Sequence, residues 1–198
     1  GVDISNWQPR GLRDRMRKDP VRFASSGRFV NWKGFQFLIE AFAVVAEQAN
    51  VALDLIGDGE MRSKLEHKVK KLGLQDSVRF HGWATREQAA QIISGCDVYV
   101  QSSLCEAGGT AIIEALALGL PVVATDWGGP SEIINASCGI LVKPESHEEF
   151  VSGLSKAMLS LATDDKTRQR MGEAATRRST EHFLDWKSKV DRIAEVIE

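Results

Sequence analysis

Two rhythms of apolar residues alternate along this chain. The first is the short unbroken run: 21–29, 51–56, 78–81, 97–101, 121–125 and 139–142 are rich in Val, Ile, Leu, Phe or Tyr, with turn formers such as Pro20, Asn50, Gly57 and Gly82 at their borders. Runs of that length and composition read as strands, and 121–125, apolar throughout, suits a parallel sheet covered on both faces. The second rhythm is helical. Phe35, Leu38, Phe42 and Val45 share one face of a segment reaching about residue 49. Met61, Leu65, Val69 and Leu72 share another, Ala89, Ile92 and Ile93 a third, and Phe150, Leu154, Met158 and Leu161 a fourth. Strand and helix take turns, which predicts an α/β fold: a Rossmann-like open parallel sheet with helices on both faces.

Punctuation supports these elements. Thr85 with Gln88, and Ser146 with Glu149, have capping-box spacing, which makes His147 an ordinary first-turn residue rather than a ligand. Gly119 with Pro121 stops the helix that begins near Gly109 and Thr110, and Pro130 sits near the start of a short one. Residues 164–181 read as a charged helix, and a last helix from Asp185 sets Trp186, Val190, Ile193 and Ile197 on one face. Residues 1–20, broken by Pro9, Gly11 and Pro20 and carrying mixed charges over 13–19, read as a linker.

The totals narrow the function. A chain of 198 residues, 43% hydrophobic and 26% charged, fits one ordinary globular domain. A net charge of −2 argues against a nucleic-acid footprint. There is no apolar run of bilayer length and no signal-peptide pattern. Three cysteines, Cys96, Cys105 and Cys138, lack C-x-x-C spacing and suggest reduced thiols in a cytoplasmic protein. The chain opens on Gly1 rather than Met, which reads as a piece of a longer or processed protein. H-E-x-x-H, Cys/His clusters, Asp-x-Asp and nucleophile elbows are missing, so no metal site is expected. Gly57-Asp58-Gly59 fails as a dinucleotide fingerprint because Arg62 stands where the third Gly belongs; it reads as a tight turn that lets backbone approach the cleft. His81, at a strand end, could bond a ligand or be satisfied in place.

The stretch 97–130 organises the rest. It reads as strand, loop, buried helix, strand, loop, with Glu106 before the helix and Glu114 inside it. Ile112, Ile113, Ala115, Leu116, Ala117 and Leu118 surround Glu114 with apolar neighbours, so its carboxylate needs a partner, either a basic side chain or hydroxyls of a ligand. Its position, about one turn into a helix at the C-terminal edge of the sheet, favours the ligand.

Glu106-x7-Glu114, followed by Gly119-Leu120-Pro121 and by Gly128-Gly129-Pro130-Ser131-Glu132, resembles the donor-binding domain of retaining GT-B glycosyltransferases. Arg28 and Lys33, across a strand-to-helix turn, resemble the Arg-x4-Lys motif of that family. One departure stands out: Ala107-Gly108-Gly109 replaces the usual Gly-Phe-Gly, which changes the shape of the sugar pocket but keeps its backbone amides. The resemblance implies half of a GT-B fold, with a hinge-side segment 1–20, a donor domain 21–182 and a helix 183–198 turned toward an N-terminal acceptor-binding domain absent from this chain. It implies a nucleoside-diphosphate sugar as donor, no cofactor, no metal, an unidentified acceptor, and peripheral membrane contact through the absent domain. Glu114 would accept from ribose hydroxyls, Glu106 would hold the donor sugar, and Arg28 and Lys33 would face the diphosphate. Amides of Gly108, Gly109 and Thr110 would meet sugar and phosphate oxygens, Trp83 would border the nucleobase, and Gly57 would let backbone approach the ligand. Likeness in the Gly128–Ile134 run leans toward UDP-glucose. A non-catalytic nucleotide-binding domain, a sugar-nucleotide epimerase of the same architecture and a Rossmann dehydrogenase are the alternatives.

Overall fold

The structure is a computed structural model that describes Trp7, residues 19–182, Val190, Ala194 and Glu195. Its strands are β1 (Val21–Ser26), β2 (Val51–Ile56), β3 (Val78–Gly82), β4 (Val98–Gln101), β5 (Val122–Thr125) and β6 (Gly139–Val142). The helices are α1 (Phe35–Ala46), α2 (Arg62–Lys71), α3 (Arg86–Ile93), α4 (Thr110–Ala117), α5 (Gly129–Ile133), α6 (His147–Thr163) and α7 (Asp165–His182). The strands form one sheet in the order β3-β2-β1-β4-β5-β6, and every neighbouring pair is parallel.

Side chains that alternate across a pleated strand build two cores. Phe23, Leu53, Leu55, Val98 and Val100 point to the face covered by α1, α2 and α6, where Phe42, Leu65 and Phe150 meet them. Ala24, Ile56, Tyr99, Val122 and Ala124 point to the other face, covered by α3, α4 and the α7 residues Ala174 and Ala175. Both faces are closed, which explains the nearly continuous apolar strands. The strand order reverses between β1 and β4, which lie side by side with Phe23 opposite Val98. Chains leaving two such strands turn to opposite faces and open a crevice at their C-terminal ends. Arg28 and Lys33 follow β1, and Glu106 follows β4.

Some boundaries differ from those the sequence predicts. β1 ends at Ser26, not at residue 29, because the chain turns at Gly27 and Phe29 leaves the sheet to pack edge-on against Phe35 and Phe80. α1 closes at Ala46. Leu72 is 41% exposed at the end of α2, and Leu74 is buried in its stead. The predicted helix from Asp185, apart from the exposed Val190 and the helical Ala194 and Glu195, lies outside the described residues, as does the predicted linker 1–20 apart from Trp7, Asp19 and Pro20.

Candidate functional site

The loops after β1 and β4 are stitched together at the crevice. Gly34 caps α1 with φ at +72°, and a Cβ there would lie 2.0 Å from the Ser102 carbonyl oxygen. Only glycine allows that approach. Ser102 Oγ donates to the Lys33 carbonyl oxygen at 3.2 Å, and Leu104 N donates to the Trp32 carbonyl oxygen at 2.8 Å. This close fit brings Lys33 Nζ to 2.6 Å from Glu106 Oε2, with both side chains mostly sheltered.

Glu106 is held from four directions. Besides Lys33, Gln101 Nε2 donates to the same oxygen at 2.9 Å, and the Gly109 amide donates to Oε1 at 3.3 Å. The Glu106 carbonyl oxygen accepts from Gly129 N at 2.9 Å, which ties the loop to α5. Gln101 is itself fixed: the buried Tyr99 hydroxyl donates to its Oε1 at 3.2 Å, and Ser26 Oγ lies 2.8 Å from that hydroxyl. Both ends of the Gln101 amide are therefore committed, and its Nε2 must face the acid. Burial pushes the Glu106 carboxyl up, but Lys33, the Gly109 amide and Gln101 hold it below its ordinary value. Gly109 is in the left-handed region at φ +57°, and its amide at the start of α4 gives the carboxylate a favourable dipole.

Glu114 is placed differently. On α4, Thr110 is exposed and Ala111 and Glu114 are partly open, while Ile112, Ile113, Ala115 and Leu116 are buried, so this short stripe is the open face of the helix. The partner that Glu114 requires is present as a basic side chain: Arg86 Nη2 lies 2.9 Å from Glu114 Oε1. Arg86 is the first residue of α3, after the capping box of Thr85 and Gln88. A cation at a helix N-terminus opposes the helix dipole at a cost of about 0.3–1 kcal/mol, which pairing with Glu114 offsets. Burial pushes the Glu114 carboxyl above its ordinary value, and Arg86 opposes that rise. The two acids are thus shifted in opposite directions, and the buried Tyr99 hydroxyl feels both charges.

The other predicted site residues divide between the lip and the interior. Arg28, Gly108, Thr110 and Trp83 are exposed, Trp83 at 81%. Gly57 is buried; its amide donates to the Gly82 carbonyl oxygen, and a Cβ would lie 1.9 Å from the Gly27 carbonyl oxygen. The close approach that Gly57 makes in this structure is to the Gly27 backbone. His81 is satisfied in place, with Nε2 2.7 Å from Asp54 Oδ1, and Arg22 Nη2 lies 2.6 Å from the other oxygen of that buried acid. Cys96 Sγ is 3.7 Å from Asp54, and its thiol is pushed up to about 12 by burial, so this cluster is structural. Cys105 is exposed beside Glu106. Among the described residues, no group of three or more His, Cys, Asp or Glu could hold a metal ion, and no helix is long and apolar enough to cross a membrane.

Three contributors escaped the sequence reading. Gln101 is a polar residue closing an apolar strand, Tyr99 is the chain's single tyrosine, and Arg86 lies 28 residues before its acid. The first two had a signal in composition. Arg86 had none beyond its place at a helix start on the same edge of the sheet.

Comparisons with known proteins agree with this fold. The profile of the family described as Glycosyl transferases group 1 matches residues 13–178. The lipopolysaccharide core biosynthesis glycosyltransferase LpsE of Rhizobium meliloti is 37% identical over 150 residues, which are 75% of this chain and 42% of that protein. The crystal structure of the C-terminal domain of a glycosyl transferase group 1 protein, LpcC of Francisella tularensis, superposes with a TM-score of 0.81 at 26% identity, over 93% of this chain and all of that one. HepE of Anabaena, solved with UDP and glucose, superposes with a TM-score of 0.80 at 25% identity, over all of this chain and 55% of that one. The chain spans about half or less of the length of the curated relatives it matches. It has a Rossmann-like parallel sheet corresponding to one half of a GT-B glycosyltransferase, and it belongs to glycosyl transferases group 1.

Proposed function

We propose that this chain binds the nucleoside-diphosphate sugar of a retaining hexosyltransferase. The observation that carries the reading is the Lys33–Glu106 pair at the reversal between β1 and β4, where the sheet opens toward a ligand. The diphosphate would lie against Arg28, Lys33 and the start of α4, with amides of Gly108, Gly109 and Thr110 as donors. These cations and dipoles would stabilise the departing diphosphate without a metal ion. Glu106 would accept from hydroxyls of the donor sugar, and Glu114 from the ribose. The sugar would be attacked by its acceptor on the face the diphosphate leaves, so no covalent nucleophile is needed. UDP is the first base to test, because HepE was solved with it. Residues 21–182 are the donor unit in this reading, while the acceptor side comes from a separate domain, so the chain alone transfers little sugar.

Calorimetric titration of the chain with UDP, GDP, ADP and NAD tests the proposal. Binding of one nucleoside diphosphate well above NAD is expected. Tight binding of NAD with none of the three diphosphates would point to dinucleotide chemistry and overturn it.

A further inference from the structure

Arg86 lies outside every motif that marks this site, yet it makes the contact described for Glu114. Its side chain is half exposed, at 52%, and reaches from α3 to an acid whose side chain is only 13% exposed on α4. It stands at the end of its helix where a positive charge is disfavoured, so local helix chemistry does not explain it. The acid it meets is one that an apolar helix would otherwise drive toward its neutral form. A neutral carboxyl would present one acceptor and one donor, whereas two neighbouring hydroxyls are best received by an ionised carboxylate with only acceptors.

We propose that Arg86 is a positioning residue of the nucleotide site: as counter-ion it keeps Glu114 ionised and oriented, so that the carboxylate receives the vicinal hydroxyls of a ribose. The inference rests on the nucleotide-sugar reading above. It makes α3 part of the nucleotide site, although none of its side chains belongs to the two motifs. Among the described residues, the other groups around Glu114 do not substitute for Arg86. β4 presents the Tyr99 hydroxyl, the preceding loop presents the acid Glu106, and β5 presents no charge. On α5 Glu132 is exposed, and on α7 Arg178 bonds the carbonyl oxygens of Ile133 and Glu132. Burial already raises the Glu114 carboxyl with Arg86 present, so removing the cation raises it further.

The test is the affinity of UDP, or of whichever diphosphate binds best, across pH 5 to 8 for the wild-type chain, Arg86→Met, Arg86→Lys, Glu114→Gln and the double variant Arg86→Met/Glu114→Gln. The titration of the phosphate is common to all and cancels between profiles. Affinity that depends on the ionised acid is full at high pH and falls as pH drops through its folded pKa. In Arg86→Met this fall should move to higher pH by about one unit, and Arg86→Lys should largely restore it. In the Glu114→Gln background the Arg86 change should cause no shift and less than about a twofold further loss. Discrimination against the 2′-deoxynucleotide should shrink in Arg86→Met, a readout that general loosening of the surface would not move. Superimposable profiles for the wild type and a folded Arg86→Met, or fully additive losses, overturn the inference while the nucleotide reading stands. Failure of the wild-type chain to bind any nucleoside diphosphate overturns that reading and this inference with it.

Discussion

Glu106 and Glu114 share one motif and have opposite surroundings. Glu106 is gripped by an ammonium, a locked amide and a backbone N–H, and its carboxyl is held below the ordinary value. Among the described residues, Glu114 has only the exposed Arg86 as partner, against an apolar helix, and its carboxyl lies above the ordinary value. A strongly held acid keeps one geometry whether or not a ligand is present. A more loosely held one, bonded by Arg86 through Oε1, keeps acceptor capacity for a ligand. That contrast fits an acid that must aim at a sugar near a reacting carbon and an acid that must accept and release a nucleotide.

The largest expected break of this contrast is Lys33→Met. It removes a cation proposed for the diphosphate and leaves Glu106 without its charged partner, so nucleoside diphosphate affinity should fall roughly ten- to hundredfold, the range of a charge-assisted hydrogen bond. Next, Glu114→Gln should weaken the nucleoside diphosphate by about tenfold, and Glu106→Gln by less, because ribose contacts do not require the sugar. Calorimetry on both variants checks the order, and a reversed order would show that the two roles are exchanged. Gln101→Leu should then act on Glu106 alone: the ratio of nucleotide-sugar to nucleotide affinity should drop a few-fold, with nucleotide affinity nearly unchanged. A uniform drop in both would mean that Gln101 serves the fold instead.

Stability should separate the acids in opposite directions. A carboxyl lowered on folding, like Glu106, contributes stability above its unfolded value, and this is lost as pH falls through the folded one. A carboxyl raised on folding, like Glu114, binds its proton more tightly in the folded state, so stability decreases as pH rises from the unfolded to the folded value. At neutral pH Glu106→Gln should therefore be less stable than the wild type, and Glu114→Gln equally or more stable. Urea unfolding between pH 3 and 7 measures both, and the Glu106→Gln deficit should vanish at the acid end. The same sign for both variants would erase the distinction between the two environments.

Much of this fold is legible in the residues, because the inner strands are covered on both faces and most helices keep an apolar stripe. Caps are local: Thr85 and Gln88 close the full box that their spacing predicts, while Ser146 forms only the cap half, its hydroxyl accepting from Glu149 N and donating to the Glu149 carboxylate. The errors lie where a distant contact overrides a local pattern. Phe29 continues the apolar run of β1 but leaves the sheet for Phe35 and Phe80, and Leu72 keeps helical spacing but yields its place to Leu74. In the site, the acids and bases of the motifs could be named from spacing. Their partners could not, because Gln101 becomes meaningful only once Tyr99 and Ser26 orient it, and Arg86 only once the sheet order carries α3 beside α4.

The seam between β1 and β4 has a consequence for assembly of the molecule. The cations come with the first three strands and the acids with the last three, joined by pairing across some 75 residues of sequence, as in the bond from Arg22 N to Asp97. Neither portion holds the whole candidate site, and contacts so remote along the polypeptide close late in folding. A donor nucleotide clasped by both portions would then act as a rivet through the last joint to shut, and protein cleaved between β3 and β4 should regain affinity only when its two pieces anneal.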